Sequence, residues 1–193
     1  MKKSLVIIAL FTSYLSYSQS LKVSKVYSSL SDYKSGKANF ETECHGNNSL
    51  HFKLKPSKSF FQITLNKQKQ TVEKVGFIAL NTCDGKNFRL SNNKTFQILE
   101  SKRLTIYKLS KMVRDASYQK GNVFKQEISY YYSTSLDGDI IPLSVYHLKQ
   151  SFPNDKKFHD LLETHFINDG SLIKFDSYSK TYLLNEVLEN AGL

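Results

Sequence analysis

The sequence predicts an α+β fold: an antiparallel β-sheet of about seven to nine strands in meander-like order, followed by C-terminal helices packed on one face or edge. Two observations carry this prediction. Between residues 22 and 142, apolar and polar residues alternate in short runs rich in β-branched and aromatic side chains, as half-buried strands require. After Pro142 the apolar residues recur every three or four positions, the spacing of helices that bury one stripe. No internal repeat or low-complexity block interrupts either part, and the chain holds only three prolines.

The opening stretch MKKSLVIIALFTSYLSYSQS has the layout of an export signal. Lys2 and Lys3 supply positive charge, residues 5–11 form a short apolar core, and Ser16-Tyr17-Ser18 puts small residues where a signal peptidase reads them. The apolar run is far shorter than the ~20 residues a bilayer-spanning helix needs. The expected organisation is therefore a signal peptide over residues 1–18 and a single α+β domain over 19–193. Within that domain, 22–142 is rich in strand and 143–193 is helical. The domain is long enough to bury a sizeable core.

The elements then follow in order. VYSSLSDYKSG (residues 26–36) starts as a strand and continues into a short helix, with Ser29 and Asp32 as a capping pair and Gly36 as the stop. Leu50, Phe52 and Leu54 alternate with polar neighbours, as do Phe61, Ile63 and Leu65. The polar segment NKQKQTVEK, residues 66–74, reads as an exposed loop. VGFIALNT, FRL, TFQIL, LTIYKL and NVFKQEISYYYS continue the strand series, and Asp137-Gly138-Asp139 reads as a turn. The alternative for this last triplet, a calcium loop, lacks the further oxygen ligands that ion needs.

Asp84-Gly85 between apolar runs is a strong hairpin signal, because a type I′ turn needs positive φ at both central positions. A two-residue tip sets Ala79 opposite Leu90 and Asn81 opposite Phe88. A four-residue loop keeps the same faces. Either way Phe77, Ala79 and Cys83 share a face with Phe88 and Leu90, and Arg89 points away.

In the helical part, Ser144 caps a helix carrying Val145, Leu148 and Phe152, which Pro153 ends. Asn154 or Asp155 caps a second, where Phe158, Leu161, Leu162, His165 and Phe166 form an amphipathic stripe. On this reading His165 is half-buried and His159 lies on the surface. Gly170 closes that helix, and Ser171 opens another. Leu183, Leu184, Val187 and Leu188 make a last apolar face before Gly192.

The net charge is +10, and nearly all of the basic excess is lysine; only Arg89, Arg103 and Arg114 are arginines. Lysine is a hydrated point charge, whereas the planar arginine fork suits phosphates and base edges. The lysines are also spread along the chain, so a solvated basic surface and weak contact with anionic surfaces are expected, and nucleic-acid binding is not. Two cysteines, Cys44 and Cys83, pair as one disulfide in an oxidising compartment. Two free thiols are the alternative; a Cys44–His45 nucleophile is disfavoured because adjacent strand residues face opposite ways. Neither an HExxH helix, nor a G-x-S-x-G elbow, nor a Walker loop, nor a dinucleotide fingerprint occurs. No cofactor, metal or catalytic residue is expected. Tyr130, Tyr131 and Tyr132 are candidates for surface contacts to a sugar or protein, against the plainer reading of cross-strand packing.

KVYSSLSDYKSGK, FIALNTCDGKNFRL and FPNDKKFHDLLETHF together resemble a family of small exported bacterial proteins of unknown function, common in gram-negative gut and marine lineages. The resemblance implies export and a sheet followed by helices, and it supplies no catalytic residues. The leading expectation is an exported, periplasmic or secreted, non-enzymatic protein that binds a protein or glycan in the envelope or outside the cell. One rival is an envelope hydrolase using Asp160 or Asp176 with His159 or His165. Another is a lysine-rich protein held to the envelope surface.

Overall fold

A computed structural model describes residues 23–44, 58–65, 68–115 and 123–193. The expected signal peptide, the strand around Phe52, and His45 and His51 lie outside the described residues.

The chain begins with β1 (Val23–Tyr27), the short helix α1 (Leu30–Ser35) and β2 (Phe40–Glu43). A hairpin of β3 (Phe60–Leu65) and β4 (Gln68–Glu73) comes next. β5 (Ala79–Asn81), β6 (Asn87–Ser91), β7 (Lys94–Ser101), β8 (Thr105–Arg114), β9 (Phe124–Ser133) and β10 (Ile141–Pro142) then run as a meander. After it come helices α2 (Val145–Ser151) and α3 (Lys156–His165) and a 3₁₀ turn over Asp169–Ile173. A two-stranded ribbon, β11 (Phe175–Asp176) with β12 (Thr181–Tyr182), leads into α4 (Leu183–Ala191). Among the described residues, eight strands form one antiparallel sheet in the order β10-β9-β8-β7-β6-β5-β1-β2. The expected α+β class, with an antiparallel sheet and helices that are mostly C-terminal, is the observed one.

Register fixes what each face buries. Val26, Leu80, Phe88, Gln97, Lys108 and Tyr130 pair in sequence across the sheet and so share one face. At the β1 end of that face the β3–β4 hairpin seats Phe61 and Ile63 on Val26, Leu80 and Leu90. At the β9 end the helices seat Leu148, Phe158, Leu162 and Leu184 on Ile106 and Tyr132. Each such side chain, fully buried, contributes roughly 1.5–3 kcal/mol of transfer free energy. The opposite face carries a smaller cluster of Phe96, Tyr107 and Leu109 with Tyr131 and Ile140.

The predicted helix ends are present. Ser29 accepts from Asp32 N at 3.0 Å and Gly36 closes α1 at φ 73°, in the left-handed region that suits glycine. Ser144 accepts from His147 N at 3.2 Å, and of the two cap candidates for α3 it is Asp155 that accepts from Phe158 N, at 2.7 Å. Gly170 does not close α3. The helix ends at His165, and Gly170 lies inside the 3₁₀ turn, whose cap is Asn168.

Two strand expectations need correction. Most of residues 66–74 is a strand: β4 pairs with β3 from Leu65↔Gln68 to Phe60↔Glu73. Its polarity follows from exposure, since only Val72 is even half-buried. The Asp84-Gly85 turn exists, but its loop has three residues. Gly85 N bonds to Thr82 O at 2.9 Å, Thr82 N bonds to Lys86 O at 2.9 Å, and Gly85 sits at φ 78°. This is a type I turn closed by a left-handed glycine. An odd loop length shifts register by one and swaps the faces. Ala79 therefore pairs with Arg89 and Leu80 with Phe88, and Arg89 turns inward, 9% exposed.

Cys44 and Cys83 form a disulfide, with Cα atoms 5.4 Å apart. It ties the end of β2 to the β5–β6 turn, beside the buried Ser24, whose Oγ lies 2.9 Å from Cys83 Sγ.

Candidate functional site

The longest ladder in the sheet joins β8 to β9, from Thr105↔Ser133 to Arg114↔Phe124. Its neighbours are shorter. The β7 ladder reaches β8 only as far as Lys108, and β10 pairs with β9 only at Tyr131 and Tyr132. Beyond those points, Leu109–Arg114 of β8 and Phe124–Ser129 of β9 pair only with each other, a two-stranded ribbon continuing past the sheet.

Alternation sorts this ribbon into two faces. One carries Ser110, Met112 and Arg114 opposite Ile128, Gln126 and Phe124. Met112 is diagonal to both Ile128 and Phe124, close enough for large side chains to form one strip. All three are exposed, at 66%, 42% and 55%. On the same face, Lys108 stands at one end of the strip and Arg114 at the other. The reverse face sets Lys111 opposite Glu127, and Lys125 pairs with Asp115 at 3.9 Å. Acid thus answers base on the reverse face, while no carboxylate faces Lys108 or Arg114 across the ladder. This face thus combines an exposed apolar strip with a cation at each end.

The sequence-derived candidates fall elsewhere. Tyr132 is fully buried; its hydroxyl donates to His147 O at 2.8 Å and lies 2.7 Å from Ser151 Oγ. Burial pushes its phenol above the ordinary value, opposed in part by the Ser151 bond. Tyr131 packs edge-on against Phe96, ring centres 5.2 Å apart, and Tyr130 packs against the helical core; both are half-buried. Cys44 and Cys83 are committed to the disulfide.

The rival hydrolase residues are not brought together. His159 donates to Phe152 O at 2.8 Å and is half-buried, whereas His165 is exposed, the reverse of the sequence expectation. The two flank the Phe158–Leu162–Phe166 stripe at equal offsets of about 60°, so periodicity does not distinguish them; the chain after α2 folds over His159. Asp176 accepts from Ser179 Oγ, Tyr178 N and Ser179 N at 2.6, 3.0 and 3.1 Å, and these bonds, the hydroxyl first, hold it below the usual carboxylate range. Among the described residues, no hydrogen bond joins either histidine to Asp160 or Asp176.

Among the described residues, two clefts stand out. One, of about 280 Å³, is lined by Lys102, Arg103, Thr181, Asn185, Glu186 and Glu189. Beside it, Glu100 accepts from Thr181 Oγ1 at 2.7 Å, Tyr182 N at 3.3 Å and Asn185 Nδ2, with Lys102 Nζ at 3.6 Å. That carboxylate anchors α4 to the sheet. The other cleft, about 370 Å³, lies over the buried Lys74, which donates to Asn93 O at 3.1 Å; burial lowers its ammonium from the ordinary lysine value. Sequence reading missed the ribbon strip, because alternation in a strand says which residues share a face but not whether anything covers that face.

No family model matches the chain, and neither a curated protein nor a solved structure is significantly similar to it.

Proposed function

We propose that this is an exported protein that acts by binding, without catalytic turnover, and that the Met112–Phe124–Ile128 face of the β8–β9 ribbon is the surface it uses. The exposed apolar strip carries the proposal: Met112, Phe124 and Ile128 lie side by side in water on one ribbon face, with a cation at each end. Export is supported by the leading segment, with Lys2 and Lys3 before the apolar residues 5–11, and by the disulfide. No helix among the described residues is long and apolar enough to cross a membrane.

The hydrolase reading has less to stand on, since Asp176 accepts from its own turn and His159 Nε2 is bonded to Phe152 O. A photo-crosslinking amino acid at Met112, compared with one at Lys111 on the reverse face, tests the binding surface in intact cells. Adducts at position 112 and not at 111 are expected. Equal or absent crosslinking at the two positions would defeat it. Turnover of an ester, peptide or glycan substrate that His159→Ala abolishes would restore the enzyme reading.

A further inference from the structure

The strip's size and charge narrow what it binds. Six ladder pairs span roughly 20 Å, and two strands with their side chains about 10 Å, so the face offers on the order of 200 Å². A specific protein interface needs about 800 Å² from each partner, and this face is too small for one. A second copy of the chain is also a poor occupant. Two such faces laid together set Lys108 and Arg114 of one against Lys108 and Arg114 of the other.

An anionic bilayer surface meets both requirements. Its headgroup phosphates attract juxtaposed cations, and its acyl boundary accepts a few apolar side chains without demanding a large matched area. The other basic residues, spread through a chain that keeps a net charge of +8 once Lys2 and Lys3 leave with residues 1–18, add attraction of the same sign. We propose that the Met112–Phe124–Ile128 face adsorbs to anionic lipid headgroups, with Lys108 and Arg114 holding phosphates at its two ends; this rests on the ribbon being the binding surface.

Vesicle flotation of the chain as recovered after export tests it. Binding is expected to vesicles of pure phosphatidylglycerol at low salt, with little to pure phosphatidylcholine. At a few hundred millimolar salt, where the Debye length is only several ångström, it should be lost. The exposed triple variant Met112→Ser, Phe124→Ser, Ile128→Ser and the double variant Lys108→Gln, Arg114→Gln should each weaken the partition at least about tenfold, with thermal unfolding unchanged. The chain has no tryptophan, so Phe124→Trp adds a single reporter. Its emission should shift to the blue on phosphatidylglycerol vesicles, whereas that of Lys111→Trp on the reverse face should not. Equal flotation on both lipids, or flotation untouched by the triple variant, overturns the proposal. No flotation together with a protein adduct at position 112 overturns the lipid assignment and leaves the binding surface standing.

Discussion

Arg89 lies against the ring of Tyr107, its guanidinium carbon 5.9 Å from the ring centre, and its Nη1 donates to the Tyr107 hydroxyl at 3.1 Å. The same fork donates through Nη2 to Gly138 O at 2.6 Å, and Tyr107 Oη lies 2.8 Å from Ser133 Oγ, which donates to Ser135 O at 2.6 Å. The sheet and the segment 134–140 are thus pinned by one arginine. Its truncation should cost about 1–3 kcal/mol, because Gly138 O loses its donor and the ring loses its cation. Arg89→Ala in chemical denaturation checks this, and Arg89→Lys should rescue little, since an ammonium cannot span both acceptors.

The disulfide should matter more than any single polar contact. It closes a loop with a sequence separation of 39, which corresponds to about 3–4 kcal/mol in the loop-entropy account. A Cys44→Ser, Cys83→Ser double variant should therefore unfold at markedly lower denaturant. A midpoint equal to that of the parent chain would show that the covalent link adds nothing.

Asn185 is a buried polar residue of the helical core. Its Oδ1 accepts from Leu104 N at 2.8 Å, and its Nδ2 donates to Glu100 and, at 3.4 Å, to Leu104 O. Asn185→Ala should lower stability by about 1–3 kcal/mol. Asn185→Asp should lower it further at neutral pH, through repulsion of the Glu100 carboxylate. That difference between the variants should narrow in acid, as equilibrium unfolding at two pH values would reveal.

Asp84 gives the acid-side prediction. Lys86, and then the Thr82 hydroxyl, hold its carboxyl down at about 2. Because the folded value lies below the ordinary one of about 3.9, the stabilisation is complete above that value and is lost as pH falls through about 2. The pair is exposed, so Asp84→Asn should cost less than about 1 kcal/mol at neutral pH. The variant should also flatten the stability profile below pH about 4, which acid titration of the unfolding midpoint measures.

The alkaline side runs the other way. Burial raises the phenols of Tyr27, Tyr33, Tyr132 and Tyr182 above their ordinary value. These tyrosines favour the neutral form in the folded state, so stability should fall as pH rises past about 10, where their unfolded counterparts ionise. Tyr132→Phe should reduce that slope while lowering neutral stability by about 1 kcal/mol through the lost bond to His147 O.

Local signals were legible where one short stretch decides the outcome. Ser29, Gly36, Ser144 and Gly192 stop or start helices as their chemistry dictates, and the strand runs lie where β-branched and aromatic residues alternate. What failed was parity. One residue more in the Cys83–Asp84–Gly85 loop turned Arg89 from outside to inside, and no local pattern separates a two-residue loop from a three-residue one. Pairing between distant strands was equally hidden: nothing in VSKVY names Ala79–Asn81 as its partner. The ribbon strip escaped for a related reason. FKQEISYYYS alternates in the same way where β9 is covered and where it is bare.

The place of β1 in the sheet bears on how the chain is assembled during synthesis. From β5 to β10 every strand adds to the one made just before it, so that part can zip up as it is produced. β1 and β2 are made earlier but find their seat only once β5 exists. The first strands of the chain therefore stay without a seat until a later strand supplies it, and Cys44 must wait for Cys83 before the disulfide can lock them in place.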